Sequence, residues 1–166
     1  EDGAFADCSN LVSISVDKKN ALYNDGDGSN CIIEKQTGTL VCGGCATKIP
    51  SNVQTIGAMA FRGMETPATL IIPENVKTIK RSAFVGCSGL KHLFVPGHTT
   101  IGTQAFAGCK QLESVILGEG MKKIPPVAFA GCTNLKNVHI PETVKEIAGD
   151  AFAGCFGDDA SFSGKQ

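Results

Sequence analysis

Tryptophan is absent from the 166 residues, tyrosine occurs once, and only 19% of the chain is charged. The charges nearly cancel, 15 Lys and Arg against 16 Asp and Glu, for a net charge of −1. Nothing there can hold a phosphate backbone, which excludes nucleic acid as the expected partner. No apolar run approaches the roughly 18–20 residues of a bilayer span, so no membrane insertion is expected, and no basic, apolar leader opens the chain. Eight cysteines are too few for a disulfide-built scaffold, which runs to roughly 8–10% Cys. Glycine is instead in excess, with 20 residues or about 12% against a usual 7% or so, and this marks frequent turns. The length suits one domain with a real core.

What is present is a period. Ala-Phe-x-Gly-Cys recurs at Ala83–Cys87, Ala105–Cys109, Ala128–Cys132 and Ala151–Cys155, with variants at Ala4–Cys8 and Ala60–Met64. From Phe61 onward the phenylalanines are 23, 22, 23 and 23 residues apart. Three residues after each Cys begins an L-x-x-L-x-L pattern: Leu11, Ile14, Val16; Leu90, Leu93, Val95; Leu112, Val115, Leu117; Leu135, Val138, Ile140. The Met64 repeat reads Pro67, Leu70, Ile72, with its first anchor degraded. The last two anchors alternate as in a short strand with one buried face. Pro73, Pro96 or Pro141 ends the strand, with Gly118 at the matching place in the fourth repeat. A second apolar pair follows: Val53/Ile56, Val76/Ile79, Met121/Ile124 and Val144/Ile147, while the 22-residue repeat keeps only Ile101. Each unit is thus a strand, a corner, a second extended piece and a tight turn. One unit cannot bury its own apolar residues, so the units must stack. Phe61, Phe84, Phe106, Phe129 and Phe152 should form one continuous ladder.

Residues 17–48 interrupt the period. Cys31–Glu34 and Thr39–Cys42 flank Gly38, which suits a loop needing a positive φ, and are expected to form an inserted β-hairpin standing in for one coil. A four-residue loop would set Cys31 opposite Cys42, and a three-residue loop would set it opposite Gly43. The expected organisation is one domain over 1–155 and a C-terminal cap or frayed tail over 156–166. In that tail Asp158 replaces the expected Leu, and Phe156 to Gln166 carries no strand triplet. The chain starts inside a repeat, so a preceding leader or cap is expected.

The recurrence A-F-x-G-C-x-x-L-x-x-(L/V)-x-(V/I)-P-x-x-V-x-x-I, over about residues 3–155, resembles the BspA-type (treponeme-type) leucine-rich repeats of bacterial surface proteins. Cys31–Glu34 with Thr39–Val41 resembles the irregular hairpin repeat common in them. The resemblance implies a right-handed, β-rich leucine-rich-repeat solenoid of roughly 23-residue repeats. Its strands form a parallel sheet, joined by short turns or 3-10 pieces. It also implies an extracellular or surface-displayed chain, and some relatives are adhesins. The expected partner is a host or neighbouring-cell surface protein, glycoprotein or matrix protein. The alternative role is a passive spacer within a larger surface protein.

Chemistry is sparse. The periodic cysteines read as packing residues, because the one replacement, Met64, is another soft apolar side chain. Cys31, Cys42 and Cys45 lie off the ladder, and three readings stand for them: free thiols, a Cys31–Cys42 disulfide, or a Cys42-x-x-Cys45 metal or redox pair. Asp25-Gly26-Asp27-Gly28-Ser29 resembles a calcium loop only superficially. Asn30 and Gln36 stand where such a loop needs Gly and Glu, so an ordinary polar loop is expected. His92 and His139 fall two coils apart, roughly 10 Å, too far to share a proton, and His98 falls in the shortened turn. No catalytic motif, metal site or cofactor site is expected. The residue between the last two anchors points outward. Those residues are Ser15, Ile71, Phe94, Ile116 and His139, and beside them runs Thr69, His92, Ser114, Asn137. This is the candidate ligand-binding strand face, with an apolar stripe of Ile71, Phe94 and Ile116. The alternative reading is a bare sheet whose apolar residues reflect strand propensity. Gln54, Lys77, Lys122 and Lys145 form a second row, read as a solvated edge.

Overall fold

The structure is a computed structural model that describes residues 2–155 and 161–163. In chain order its strands are β1 (Tyr23–Asn24), β2 (Cys31–Glu34), β3 (Thr39–Gly43), β4 (Thr55–Ile56), β5 (Thr69–Ile71), β6 (Thr78–Ile79) and β7 (His92–Val95). They continue as β8 (Thr100–Ile101), β9 (Ser114–Leu117), β10 (Lys123–Ile124), β11 (Asn137–His139), β12 (Glu146–Ile147) and β13 (Ser161–Ser163). The described residues contain no helix and no 3-10 piece. The chain is a parallel β-solenoid.

Three ladders run along it. The first is a five-stranded parallel sheet, β13-β11-β9-β7-β5, in which Leu70, Leu93, Val115 and Val138 are register partners. The second is made of the two-residue strands: β4-β6-β8 in one sheet and β10-β12 in another. The third is the turns. Phe61, Phe84, Phe106 and Phe129 each donate their amide to an Ala carbonyl of the next coil at 2.7–2.9 Å, as do Gly63, Gly86, Gly108 and Gly131 to Val85 or Ala carbonyls. A left-handed residue stands on each side of Phe61, Phe84, Phe106 and Phe129, the first being Met59, Ser82, Gln104 or Val127. Gly63, Gly86, Gly108, Gly131 and Gly154 supply the second, at φ 66–74°, and this explains the Gly of the motif.

Inside lies the expected phenylalanine ladder. Rings from Phe61 to Phe152 stack with centroids 4.9, 5.1, 5.5 and 5.3 Å apart and planes within 8° of parallel. Phe84, Phe106 and Phe129 are at most 1% exposed. Gly43 ends the row, since a Cβ there would sit 1.9 Å from the Phe61 ring.

The 22-residue coil restores its missing apolar residue with Thr99. This side chain is buried at the position of Val76 and turns its hydroxyl onto the Val76 carbonyl at 2.8 Å. The Gly118 departure also has a cause. Its amide donates to Val95 at 2.9 Å, which a proline cannot do, and a Cβ would lie 2.6 Å from the Gly97 nitrogen.

The N-terminal third departs most from the period. Leu11, Ile14 and Val16 form no strand and are only half-buried. Side chains satisfy the backbone there: Asn30 Oδ1 accepts from Ile14 at 2.6 Å and Asp25 Oδ2 from Val16 at 3.4 Å. Ser15 therefore does not join the strand face. β2 and β3 run antiparallel around residues 35–38, with Glu34 opposite Thr39 and Ile33 opposite Leu40. A bulge between Ile32 and Ile33 then shifts the register. The loop has four residues, yet Cys31 faces Gly43 and Cys42 faces Ile32. Cys31 and Cys42 are therefore not cross-strand partners, and both are free thiols in this structure.

β3 next pairs in parallel with β4. The Ala4–Cys8 turn stacks directly on the Phe61 turn, with the Asp7 amide donating to Arg62 at 2.9 Å. Gly43 occupies the Phe position of this layer, since its amide meets Ala60 as that of Phe61 meets Ala83. From there the chain reaches Thr55 in 12 residues, where Phe61 to Thr78 takes 17. The missing stretch is the strand, so the sheet ends at β5.

At the other end, the cap or tail expected over 156–166 lies outside the described residues except for β13. That strand extends the sheet where the sequence carries no strand triplet. Ser161 pairs with Asn137, Phe162 with Val138 and Ser163 with His139. One extra residue shifts the register, bringing Phe162 rather than Ser161 to the apolar position. A strict 23-residue comb misses it for that reason.

Candidate functional site

The five-stranded sheet carries the candidate face. Its strands are extended because β-branched and aromatic residues alternate with inward anchors between corner residues. Pairing Thr69 with His92, Ser114 and Asn137 in turn makes one outward row; Ile71, Phe94, Ile116 and His139 make the other. The structure thus brings all eight candidate residues onto one face. Ile71 is 63% exposed and Ile116 49%, against 3% for Leu93 and 1% for Val115 beneath them. Phe94 is half-buried between its two aliphatic neighbours. Ser114 is also half-buried and lies 2.8 Å from His92 Nδ1. Leu70, the inward anchor at the sheet's end, is only half-buried, and beside it a void of about 10 Å³ is lined by Ile49, Phe61, Thr66 and Pro67. That is room for one water. Exposed Lys91 and Lys136 stand beside His92 and Asn137, with Glu113 at the same place on the coil between them, as a rim of mixed charge. The triplet reading passed over this row, though its positions recur with the same period.

The other candidate chemistry resolves into structure. Asp25 folds its own loop: its carboxylate accepts from Gly28 at 3.3 Å and Val16 at 3.4 Å, and these amides hold it below the usual carboxylate range. His98 Nε2 lies 2.8 Å from the Glu74 carbonyl, a bond between neighbouring corners. Among the described residues no acid orients the His92 imidazole in its contact with Ser114, and His139 lies in the other row. Among the described residues no three His, Cys, Asp or Glu side chains are placed to share a metal. Among them too, no helix is long and apolar enough to cross a membrane.

The periodic thiols do more than pack. Cys87 Sγ donates to the Phe61 carbonyl, Cys109 to Phe84, Cys132 to Phe106 and Cys155 to Phe129, at 2.9–3.2 Å. Each sulfur ties its coil to the one before. The thiol contact with Cys109, followed by burial, pushes Cys132 up to about 12. Cys8 is the exception: it has no such partner and is exposed.

Three stacked ladders, a ring column and one flat outward face define a leucine-rich-repeat solenoid. The chain belongs to the BspA type Leucine rich repeat region family, whose model matches residues 44–157 in 6 copies. No curated protein matches it. Among solved structures it is similar to a leucine rich cell surface protein from Faecalibacterium prausnitzii, at 31% identity and TM-score 0.63, covering 93% of this chain and 36% of that one. It is also similar to a leucine-rich repeat protein from Bacteroides ovatus, at 26% identity and TM-score 0.69, covering 92% and 37%. One from Eubacterium ventriosum, at 20% identity and TM-score 0.68, shares the fold over 93% of this chain and 55% of its own. The chain spans about a third to a half of the length of these relatives.

Proposed function

We propose that the chain is a non-catalytic binding module displayed at a cell surface, which recognises a protein or glycoprotein through the outward face of the five-stranded sheet. The carrying observation is the row Ile71, Phe94, Ile116, an exposed apolar stripe held on successive rungs. Such a stripe, rimmed here by Thr69, His92, Ser114, Asn137 and the two lysines, is the composition of an interaction surface. A solenoid holds it rigid before the partner arrives, so little ordering entropy is lost on binding. The surface setting rests on family membership and on the cell-surface description of the F. prausnitzii relative.

The test is capture on immobilised matrix proteins and plasma glycoproteins by the wild-type chain, Ile116→Asp and Lys145→Ala, each checked for fold by circular dichroism. Binding by wild type and Lys145→Ala with at least a tenfold loss in Ile116→Asp supports the reading. Equal binding by all three moves the site off this face. No capture by wild type leaves the spacer role as the better account.

A further inference from the structure

The eight thiols divide by access. Cys31, Cys42, Cys87, Cys109, Cys132 and Cys155 are buried, Cys45 is half-buried and Cys8 is exposed. The segments that carry the two thiols solvent reaches meet, although 37 positions separate Cys8 from Cys45 in sequence. The Cys45 amide donates to the Leu11 carbonyl at 2.9 Å, and Cys45 Sγ lies 3.1 Å from the carbonyl of Ser9, the residue joined to Cys8. Both segments are fixed from other directions. Asn30 donates to the Cys45 carbonyl at 2.8 Å while accepting from Ile14, and Asp7 pairs with Arg62 at 3.1 Å. Neither thiol belongs to the strand face, and neither donates to a phenylalanine carbonyl as the ladder thiols do.

We propose that Cys8 and Cys45 are a disulfide-forming pair whose oxidation staples the N-terminal turn to the insert. The co-reactant is a disulfide of low molecular weight or the disulfide of an oxidoreductase. One thiolate attacks it, forming a mixed disulfide and expelling a thiolate that carries off the electron pair. The second thiolate then attacks the protein sulfur of that mixed disulfide and expels the other thiol. Two S–H bonds are lost and one S–S bond forms; the two electrons and two protons end on the co-reactant as two thiols. The competitors are disfavoured. Burial pushes Cys31 up to about 12, and burial followed by the nearby Cys8 pushes Cys42 up to about 11, which starves both of thiolate near neutral pH. The bond would hold the end of the solenoid where the period fails and side-chain brackets replace the strand ladder, the kind of region that opens first.

The reduced chain is incubated at pH 8 with glutathione disulfide, then denatured, alkylated and peptide-mapped by mass spectrometry. The expected result is six alkylated thiols, a mass lower by two hydrogens, and one linked peptide pair holding Cys8 and Cys45. Cys8→Ser should leave Cys45 carrying a single glutathione, and Cys45→Ser the reverse. Separate glutathione adducts on both residues of the wild type would overturn the proposal. So would a linked pair joining Cys8 to Cys42, or disulfide-bonded dimers on a non-reducing gel.

Discussion

The carbonyls of Phe61, Phe84 and Phe129 each have two donors to serve. The Cys132 amide donates to Phe129 within its own turn at 3.2 Å, and Cys155 Sγ reaches the same oxygen from the next coil at 2.9 Å. A thiol is small and apolar enough for the corner yet still donates, which neither Ala nor Met does. The Met64 exception then has a reason. The oxygen a thiol there would meet belongs to Gly43, and Cys42 Sγ already approaches it at 3.7 Å. Cys132→Ala should cost roughly 1–3 kcal/mol, combining a lost bond with a small cavity. A pH signature identifies the same thiol. Unfolding returns Cys132 from about 12 toward the ordinary 9.0, so between those values the unfolded chain sheds a proton that the folded chain keeps. Its contribution is full below pH 9 and falls as pH rises, by up to about 1.4 kcal/mol per unit. Denaturant unfolding at pH 8 and pH 10.5 should show a steeper loss in wild type than in Cys132→Ala; parallel losses would remove the thiol from the account. A second residue carries backbone strain. Val127 sits at φ 58° in the first left-handed position of its turn, where its sister Ser82 sits at 57°. A β-branched side chain is ill suited to that region and asparagine tolerates it. Val127→Asn should therefore stabilise by about 0.5–1 kcal/mol, read from the denaturation midpoint.

Elements are set by how closely neighbouring coils approach. A Cβ on Gly97 would lie 1.8 Å from the Glu119 carbonyl, which is backbone and cannot swing aside. Gly97→Ala should cost more than about 2 kcal/mol and separate the two corners, whereas Gly86→Ala meets nothing within 4 Å and carries only its left-handed strain. Urea unfolding of the two variants checks the order. The same scale explains what could be read in advance. The strands, the ring column and the outward rows obey a 23-residue period that each coil repeats, so alternation and spacing locate them, and the eight face residues with them. The first triplet fails because Leu11–Val16 is satisfied by Asn30 and Asp25, polar side chains that a periodic template does not weigh. The Cys31 register fails because a bulge turns on local backbone geometry, which no loop count carries. β13 is missed by a single residue of phase. The thiol-to-carbonyl bonds are invisible in sequence, since a packing cysteine and a donating one share the same period.

Across the whole molecule, stability is a chain of nearest-neighbour terms, because every coil buries its apolar residues only against the coils beside it. Where the ring column is interrupted therefore matters more than that it is interrupted. Phe106 is 0% exposed, with rings at 5.1 Å on one side and 5.5 Å on the other. Phe106→Ala should lose about 3–5 kcal/mol, from transfer, cavity and two stacked contacts together. Phe152 lies in the last described turn and is half-buried, so less of its area leaves water on folding and Phe152→Ala should lose about half as much. The denaturant slope separates two kinds of failure. If coupling between coils exceeds the loss, the Phe106 variant unfolds in one step with the wild-type slope and an earlier midpoint. If it does not, the coils on either side of the gap melt separately and the transition broadens. One sharp transition is expected, because the strand sheet and the turn bonds still join the coils on either side of Phe106, even though the two-residue strands β8 and β10 do not pair there, and the substitution removes the ring contacts alone, leaving the amide of residue 106 bonded to the Ala128 carbonyl. Equal losses at Phe106 and Phe152 would mean that the ring column is ordinary core packing, with no dependence on position along the solenoid.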